Sequence, residues 1–308
     1  MIEIRNRTIK EHLSMKAFEF IRTALFVPGN RPDRVDKAVG TAADVVIVDL
    51  EDAVPYSQKK ETRPVVREKV LDYPKRPVFV RVNALDTEFF QEDLNEVVVE
   101  GLACIIVPKI ETAAQIQEIN QKLLKTEENK GLPLGSVSII PLIETALAVE
   151  NVFQIVSQRA DPQRLFTVAF GAADFALDMG FEITKTGEEL FYPRSRIAVA
   201  CRAAGVEPPL DTPFMIDLKD RAALEADIKR ACQLGFQGKL CIHPNQVDIC
   251  NRLFSPTTGD IEYAQKVIQA FDTAEASGTA AIQLEGQFID YPVVERSRRI
   301  LKISKLMS

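Results

Sequence analysis

SVSIIPLIE (residues 136–144) and RLFTVAFGAAD (residues 164–174) decide how this chain is read. Each is an apolar run rich in Ile, Val and Phe that stops at a small or polar cluster, the pattern of a buried strand. Each is also followed by an acid, Glu144 and Asp174. Two carboxylates carried on two strand ends suit a hard divalent cation. Mg²⁺ takes one or two carboxylates and leaves its other positions to water and substrate oxygens. Taken alone, either acid also reads as a solvated residue at a loop start.

Working outward, strand-like runs recur with helical segments between them. They are TALFVPG (from Thr23), DVVIVDLED (from Asp44), PVFVRVN (from Pro77), LACIIVPK (from Leu102), the two runs above, a weaker PFMID (from Pro213), and GKLCIHP (from Gly238). Between them, stretches such as ETAAQIQEINQKLL and KDRAALEADIKRACQLG space their apolar residues by three and four, as helices do. Eight such units predict an α/β protein, a (β/α)₈ TIM barrel, over residues 22–255. An open doubly wound sheet is the alternative, but no GxGxxG follows the first strand.

A barrel places its chemistry at the C-terminal ends of the strands. Here that mouth gathers Asp49, Glu51 and Asp52, then Arg81 and Asn83, then Lys109 and Glu111, then Glu144, Asp174, Asp217 and His243. Residues 256–308 exceed what a closing helix needs. DIEYAQKVIQAFDTAEASG predicts a helix ending at Gly278, followed by an apolar turn and an Arg-rich helix. This C-terminal helical extension is read as a lid over a barrel mouth, its own or a neighbour's. The stretch from Asp178 to Asp211 carries the weakest pattern.

The balance of the 308 residues is mildly acidic, with net charge −6 and pI near 5.3. It has no basic run of the kind that binds nucleic acid or a membrane surface. Five cysteines without a CxxC pair fit a reducing cytoplasm and no zinc site. Two histidines, His12 and His243, rule out a histidine-rich metal centre within one chain. The first 22 residues lack a signal-type apolar core, and no stretch has the length of a membrane helix, so a cytoplasmic protein is expected.

RTALFVPGNRPDR, VIVDLEDAV, VFVRVNAL, IIVPKIE, PLIET, AFGAADF, KLCIHPNQ and GQFIDYPVVERSRRIL fall in the order of a known family. The chain resembles, over about residues 22 to 303, the citrate lyase β-subunit-like family. That group includes malyl-CoA and citramalyl-CoA lyases and lies within the HpcH/HpaI aldolase superfamily. The resemblance implies a (β/α)₈ barrel, Mg²⁺, and Claisen-type cleavage or condensation of acyl thioesters with a small 2-oxo acid. It also implies a homotrimer or other homo-oligomer. By the same resemblance Glu144 and Asp174 are the metal ligands, and Glu51 and Asp52 support the metal's waters. Arg81 faces the thioester enolate oxygen, Asp290 is the lid acid/base, and Arg31 helps hold CoA phosphates.

Each role has a plainer counterpart. Arg81 can pair with Glu51 or Asp52 as structural glue, and Asp290 can cap the helix starting near Pro292. Arg31 can be a solvated loop residue, and His243 can order the loop after the eighth strand. Rival functions are a citrate lyase β subunit working with an acyl carrier protein, a class II 2-oxo acid aldolase, and a non-catalytic barrel. The aldolase rival expects a histidine at the second strand's mouth, where this chain reads DLEDAV.

Overall fold

The computed structural model describes residues 20–74, 76, 78–158 and 163–307. Residues 1–19, with His12 and most of the segment read for a signal peptide, lie outside the described residues, as does Pro77 at the start of the third predicted strand. The described chain forms two compact units, one ending at Asn251 and one beginning at Arg252.

In the first unit β1 (Thr23–Pro28), β2 (Val45–Asp49), β3 (Val78–Arg81), β4 (Cys104–Val107), β5 (Ser138–Ile143), β6 (Ala169–Phe170), β7 (Leu210–Asp211) and β8 (Gly238–Cys241) close a parallel barrel in chain order. This is the (β/α)₈ TIM barrel. Between the strands run α1 (Pro32–Val39), α2 (Lys59–Asp72), α3 (Phe90–Val97), α4 (Ala113–Asn129), α5 (Ala146–Val156), α6 (Ala172–Met179), α7 (Phe191–Ala204) and α8 (Arg221–Leu234). Strand residues two apart, such as Val45 and Ile47, Cys104 and Ile106, or Ile140 and Leu142, pack with Phe79 and Leu240 in one buried cluster. That period of two is the inward face of a barrel. The seam between β1 and β8 needs a glycine, because a Cβ on Gly238 would lie 1.9 Å from the Ile21 carbonyl oxygen.

Three elements differ from the reading above. The seventh strand is Leu210–Asp211, not PFMID, which follows it. Asp217 is therefore no strand-end residue; it accepts the Lys219 N–H and pairs with Lys185 at 3.7 Å. The sixth strand is only two residues long; ahead of it the run meets β5 only at the isolated Ile139–Leu165 bridge, and the Arg164 side chain, 1 % exposed, donates to Glu127, Asn120 and the Val137 carbonyl. The weakly patterned stretch holds a 14-residue helix, α7, with Pro193 in its first turn, where a missing N–H costs nothing.

After the barrel come α9 (Val247–Phe254), α10 (Thr258–Ala276), β9 (Ile282–Leu284), β10 (Gln287–Ile289) and α11 (Tyr291–Leu306). In the second unit, α10 starts with a capping box between Thr257 and Asp260, and Gly278 (φ 86°) lies beyond its end. The predicted apolar turn is a β-hairpin. Glu285 (φ 48°) and Gly286 (φ 83°) form its two-residue loop, both in the positive-φ region a tight hairpin demands. Val267, Phe271, Ile289 and Val294 make this unit's core. No helix among the described residues is long and apolar enough to cross a membrane.

Candidate active site

The mouth is built from β2 upward. Asp49 ends β2, is 1 % exposed, and turns its carboxylate back to cap the next loop, accepting N–H bonds from Glu51 (2.9 Å) and Ala53 (3.0 Å). The same carboxylate receives Arg81 from the end of β3 in a two-pronged bond, Nε to Oδ1 at 2.7 Å and Nη2 to Oδ2 at 2.5 Å. Such a fork fixes the guanidinium plane as well as its charge. Arg81 Nη1 then reaches Glu51 Oε2 at 2.8 Å and Asp52 Oδ2 at 3.4 Å, with the guanidinium over the Phe26 ring at 4.9 Å. The ion pairing weighed against a catalytic role is therefore present, and it holds Arg81 rigidly at the mouth.

The loop carrying Glu51 and Asp52 is held from below by a residue the sequence did not single out. Lys59, at the start of α2 and 8 % exposed, donates to the carbonyls of Leu50 and Glu51, each at 2.9 Å, and to Asn83 Oδ1 at 2.6 Å. Asn83 in turn donates to Asp93, which Arg63 pairs at 2.7 Å. In sequence nothing separates Lys59 from Lys60; only burial does.

Glu144 follows β5 and is 2 % exposed. Its Oε1 accepts the backbone N–H of Lys109 at 2.7 Å. Its Oε2 lies against Gly171, where a Cβ would come within 2.6 Å. Asp174 sits in the first turn of α6, where the helix dipole favours an anion. Burial pushes Glu144 up to about 7, and the neighbouring Asp174 charge adds to the rise against the Lys109 N–H. Glu51 is likewise pushed up to about 8 by burial, with Arg81 opposing and Asp52, Glu144 and Asp49 adding.

This cluster is short of positive charge. Five carboxyl groups, Asp49, Glu51, Asp52, Glu144 and Asp174, face three cations, Arg81, Lys59 and Lys109, and the difference of two is met either by protons, as the raised Glu51 and Glu144 carboxyls show, or by a bound cation. Glu51 Oε2 is buried and, though close to Arg81, has no partner in hydrogen-bond alignment. Among the described residues no group of three or more His, Cys, Asp or Glu forms a ready-made cage. Two carboxylates in a mouth short of two positive charges fit a divalent cation that keeps most of its water.

The remaining sequence candidates fall as follows. Arg31 precedes α1 just beyond β1, half exposed, 3.3 Å from Asp33. His243 caps the turn after β8 by accepting the Asn245 N–H. Glu111 accepts the Thr145 hydroxyl at 2.8 Å, tying the loop after β4 to that after β5. Asp290 belongs to the second unit, where it caps α11 by accepting the Val293 N–H. A cavity of 520 Å³ is lined by Leu177, Phe181, Met215 and Ile216; its α6 lining is Ala173, Ala176 and Leu177, a face that does not include Asp174.

The family model for HpcH/HpaI aldolase/citrate lyase matches residues 22–244. The chain belongs to the HpcH/HpaI aldolase/citrate lyase family. Its relatives in this family include the citrate lyase subunit beta of Leuconostoc mesenteroides subsp. cremoris, 37 % identical, with 92 % of this chain and 93 % of the relative covered. The L-malyl-CoA/beta-methylmalyl-CoA lyase of Cereibacter sphaeroides (strain ATCC 17029) is 31 % identical over 93 % of this chain and 95 % of its own. Among solved HpcH/HpaI structures, CitE from Mycobacterium tuberculosis in complex with magnesium, acetoacetate and coenzyme A superposes with a TM-score of 0.75. It is 29 % identical, covering 93 % of this chain and 98 % of that one. The citrate lyase beta subunit from M. tuberculosis complexed with oxaloacetate and magnesium gives 0.65 at 30 % identity, covering 79 % and 100 %. As a member of this family the chain is a carbon–carbon lyase.

Proposed function

We propose that the chain is a Mg²⁺-dependent lyase that cleaves a β-hydroxyacyl-CoA thioester, citramalyl-CoA or malyl-CoA, to acetyl-CoA and a 2-oxo acid. The observation that carries the reading is the buried Glu144 beside the half-buried Asp174, in a mouth whose carboxyl groups outnumber its cationic side chains by two. These two carboxylates would hold the ion. Bound there, Mg²⁺ supplies Lewis-acid polarisation of the oxygen on the 2-oxo acid portion. Glu51 Oε2, buried and unaligned with any donor, would be free to accept from a water on the ion. Arg81, fixed by its fork on Asp49, stabilises the charge that develops on the thioester oxygen as the carbon–carbon bond breaks. The hydroxyl proton goes to solvent, and Asp290 is the carboxyl assigned to give a proton to the acyl α-carbon and to regain one from solvent, so that the proton count balances. Arg31 is assigned to the CoA phosphates.

A second reading is a citrate lyase β subunit acting on a citryl group carried by an acyl carrier protein. The 37 % identical relative of that name supports it. One assay addresses both: acetyl-CoA release from malyl-CoA, citramalyl-CoA and citryl-CoA, with Mg²⁺ and with EDTA. Cleavage of malyl- or citramalyl-CoA that EDTA abolishes is the expected result. Cleavage of a citryl group only when it is presented on a carrier protein would replace the first reading by the second. Turnover that persists in EDTA would remove the metal from the mechanism.

A further inference from the structure

Lys109 has φ 56°, a left-handed conformation that a lysine rarely adopts. The neighbourhood clamps it from both sides. Its N–H donates to Glu144 Oε1 at 2.7 Å, and its carbonyl accepts Gln115 Nε2 at 3.5 Å. Gln115 is itself locked into the capping box that starts α4, taking the N–H groups of Glu111 and Thr112 on its Oε1. Strain of this kind persists where surrounding structure over-determines it, and it gathers at functional sites. With the N–H held on Glu144, the left-handed φ turns the chain immediately after that amide so that the carbonyl of the same residue meets Gln115.

On the proposed reading that Glu144 binds a divalent cation, we propose that Lys109 is a positioning residue of that centre through its backbone: the left-handed turn lets one residue hold Glu144 Oε1 with its N–H and Gln115 with its carbonyl, which leaves Glu144 Oε2, beside Gly171, to the metal. The ammonium is a separate matter. It is half exposed and lies 3.6 Å from Glu51 Oε1. What residue 109 supplies to the metal is a conformation, and the chemistry of its side chain is secondary. Partners that orient a metal ligand are worth roughly 10–100-fold in affinity.

The test is a series at one position, Lys109→Gly, Lys109→Asn, Lys109→Ala and Lys109→Val, each titrated with Mg²⁺ alone by calorimetry on the full chain. Thermal unfolding without Mg²⁺ checks that each variant folds. Gly and Asn enter the left-handed region readily, Ala less so, and β-branched Val least. Mg²⁺ affinity is expected within about 3-fold of wild type for Gly and Asn, weaker for Ala, and roughly 10–100-fold weaker for Val. If Val does not fold, Gly and Asn against Ala decides. Equal losses for Gly, Asn and Ala would show that the ammonium matters and the backbone does not, and would overturn the inference. So would Val or Ala binding like wild type. If the wild-type chain takes up no Mg²⁺ at millimolar concentration, the metal reading itself falls and this inference with it, which the series then makes plain.

Discussion

Asp290 shows how one side chain can satisfy two descriptions. Its carboxylate caps α11, and the family resemblance assigns it proton transfer. Asparagine caps a helix about as well as aspartate but does not ionise. Asp290→Asn should therefore keep the melting temperature and Mg²⁺ affinity while cleavage is lost, measured as acetyl-CoA release beside a thermal melt and a metal titration. Asp290→Ala should lose cleavage and about 1 kcal/mol of cap stability as well. If the Asn variant turns over normally, the cap is the whole of its role. At this scale, sequence spoke for the residues to which the proposed function gives the chemistry: Glu144, Asp174 and Arg81 each stand where an apolar strand run stops. It was silent on Lys59, and it placed Lys109 at the mouth without showing what its backbone does. The importance of Lys59 lies in being buried under the Glu51 loop, and that of Lys109 in its φ, and neither is written in residue type.

At the scale of elements, strands were legible where hydrogen bonding and apolar pattern coincide, and misread where they part. PFMID is apolar yet follows β7, because the chain pairs Leu210 and Asp211 instead, directly after two prolines. The run from Arg164 looks like a long strand, yet only Ala169 and Phe170 belong to β6. The hairpin loop has Glu285 where Asn or Asp would have signalled a positive φ. Arg164, at the start of that run, carries a prediction. Its guanidinium meets Glu127 at 2.5 and 2.7 Å and Asn120 at 2.6 Å, in a site where both charges are almost fully buried. Arg164→Ala would leave Glu127 buried without its counter-ion. Breaking such a pair from one side costs about 3–5 kcal/mol. Urea unfolding should show that loss, and a loss under 1 kcal/mol would mean water or neighbouring N–H groups compensate.

For the molecule as a whole, pH acts through a second buried network. Arg194 on α7 and Lys239 on β8 pair with Asp211 on β7 and Asp227 on α8 at distances from 2.5 to 2.9 Å. Burial alone would raise the Asp227 carboxyl, but Lys239 and Arg194 outweigh it and hold the group down to about 2, below its ordinary 3.8. A carboxyl depressed in the folded state adds stability that is complete above its unfolded value and is lost as pH falls through the folded one. Stability should thus drop between about pH 4 and pH 2. In Asp227→Asn this part of the drop should be absent, at the expense of lower stability at neutral pH. Denaturant melts across that range, on both proteins, give the answer; parallel acid limbs would rule the network out as their source.

The glycine at the seam has a consequence for how this chain comes into being. β1 leaves the ribosome before every other strand of the barrel, and its partner Lys239-Leu240-Cys241 is made more than two hundred residues later. Until then the nascent sheet has an open margin of unpaired N–H and C=O groups along β1, the kind of edge that recruits other chains. Closure waits on one backbone approach so close that nothing larger than hydrogen fits at residue 238. A side chain there would prolong the vulnerable interval during synthesis, so its first symptom in a cell would be aggregated newborn protein, ahead of any defect in the finished enzyme.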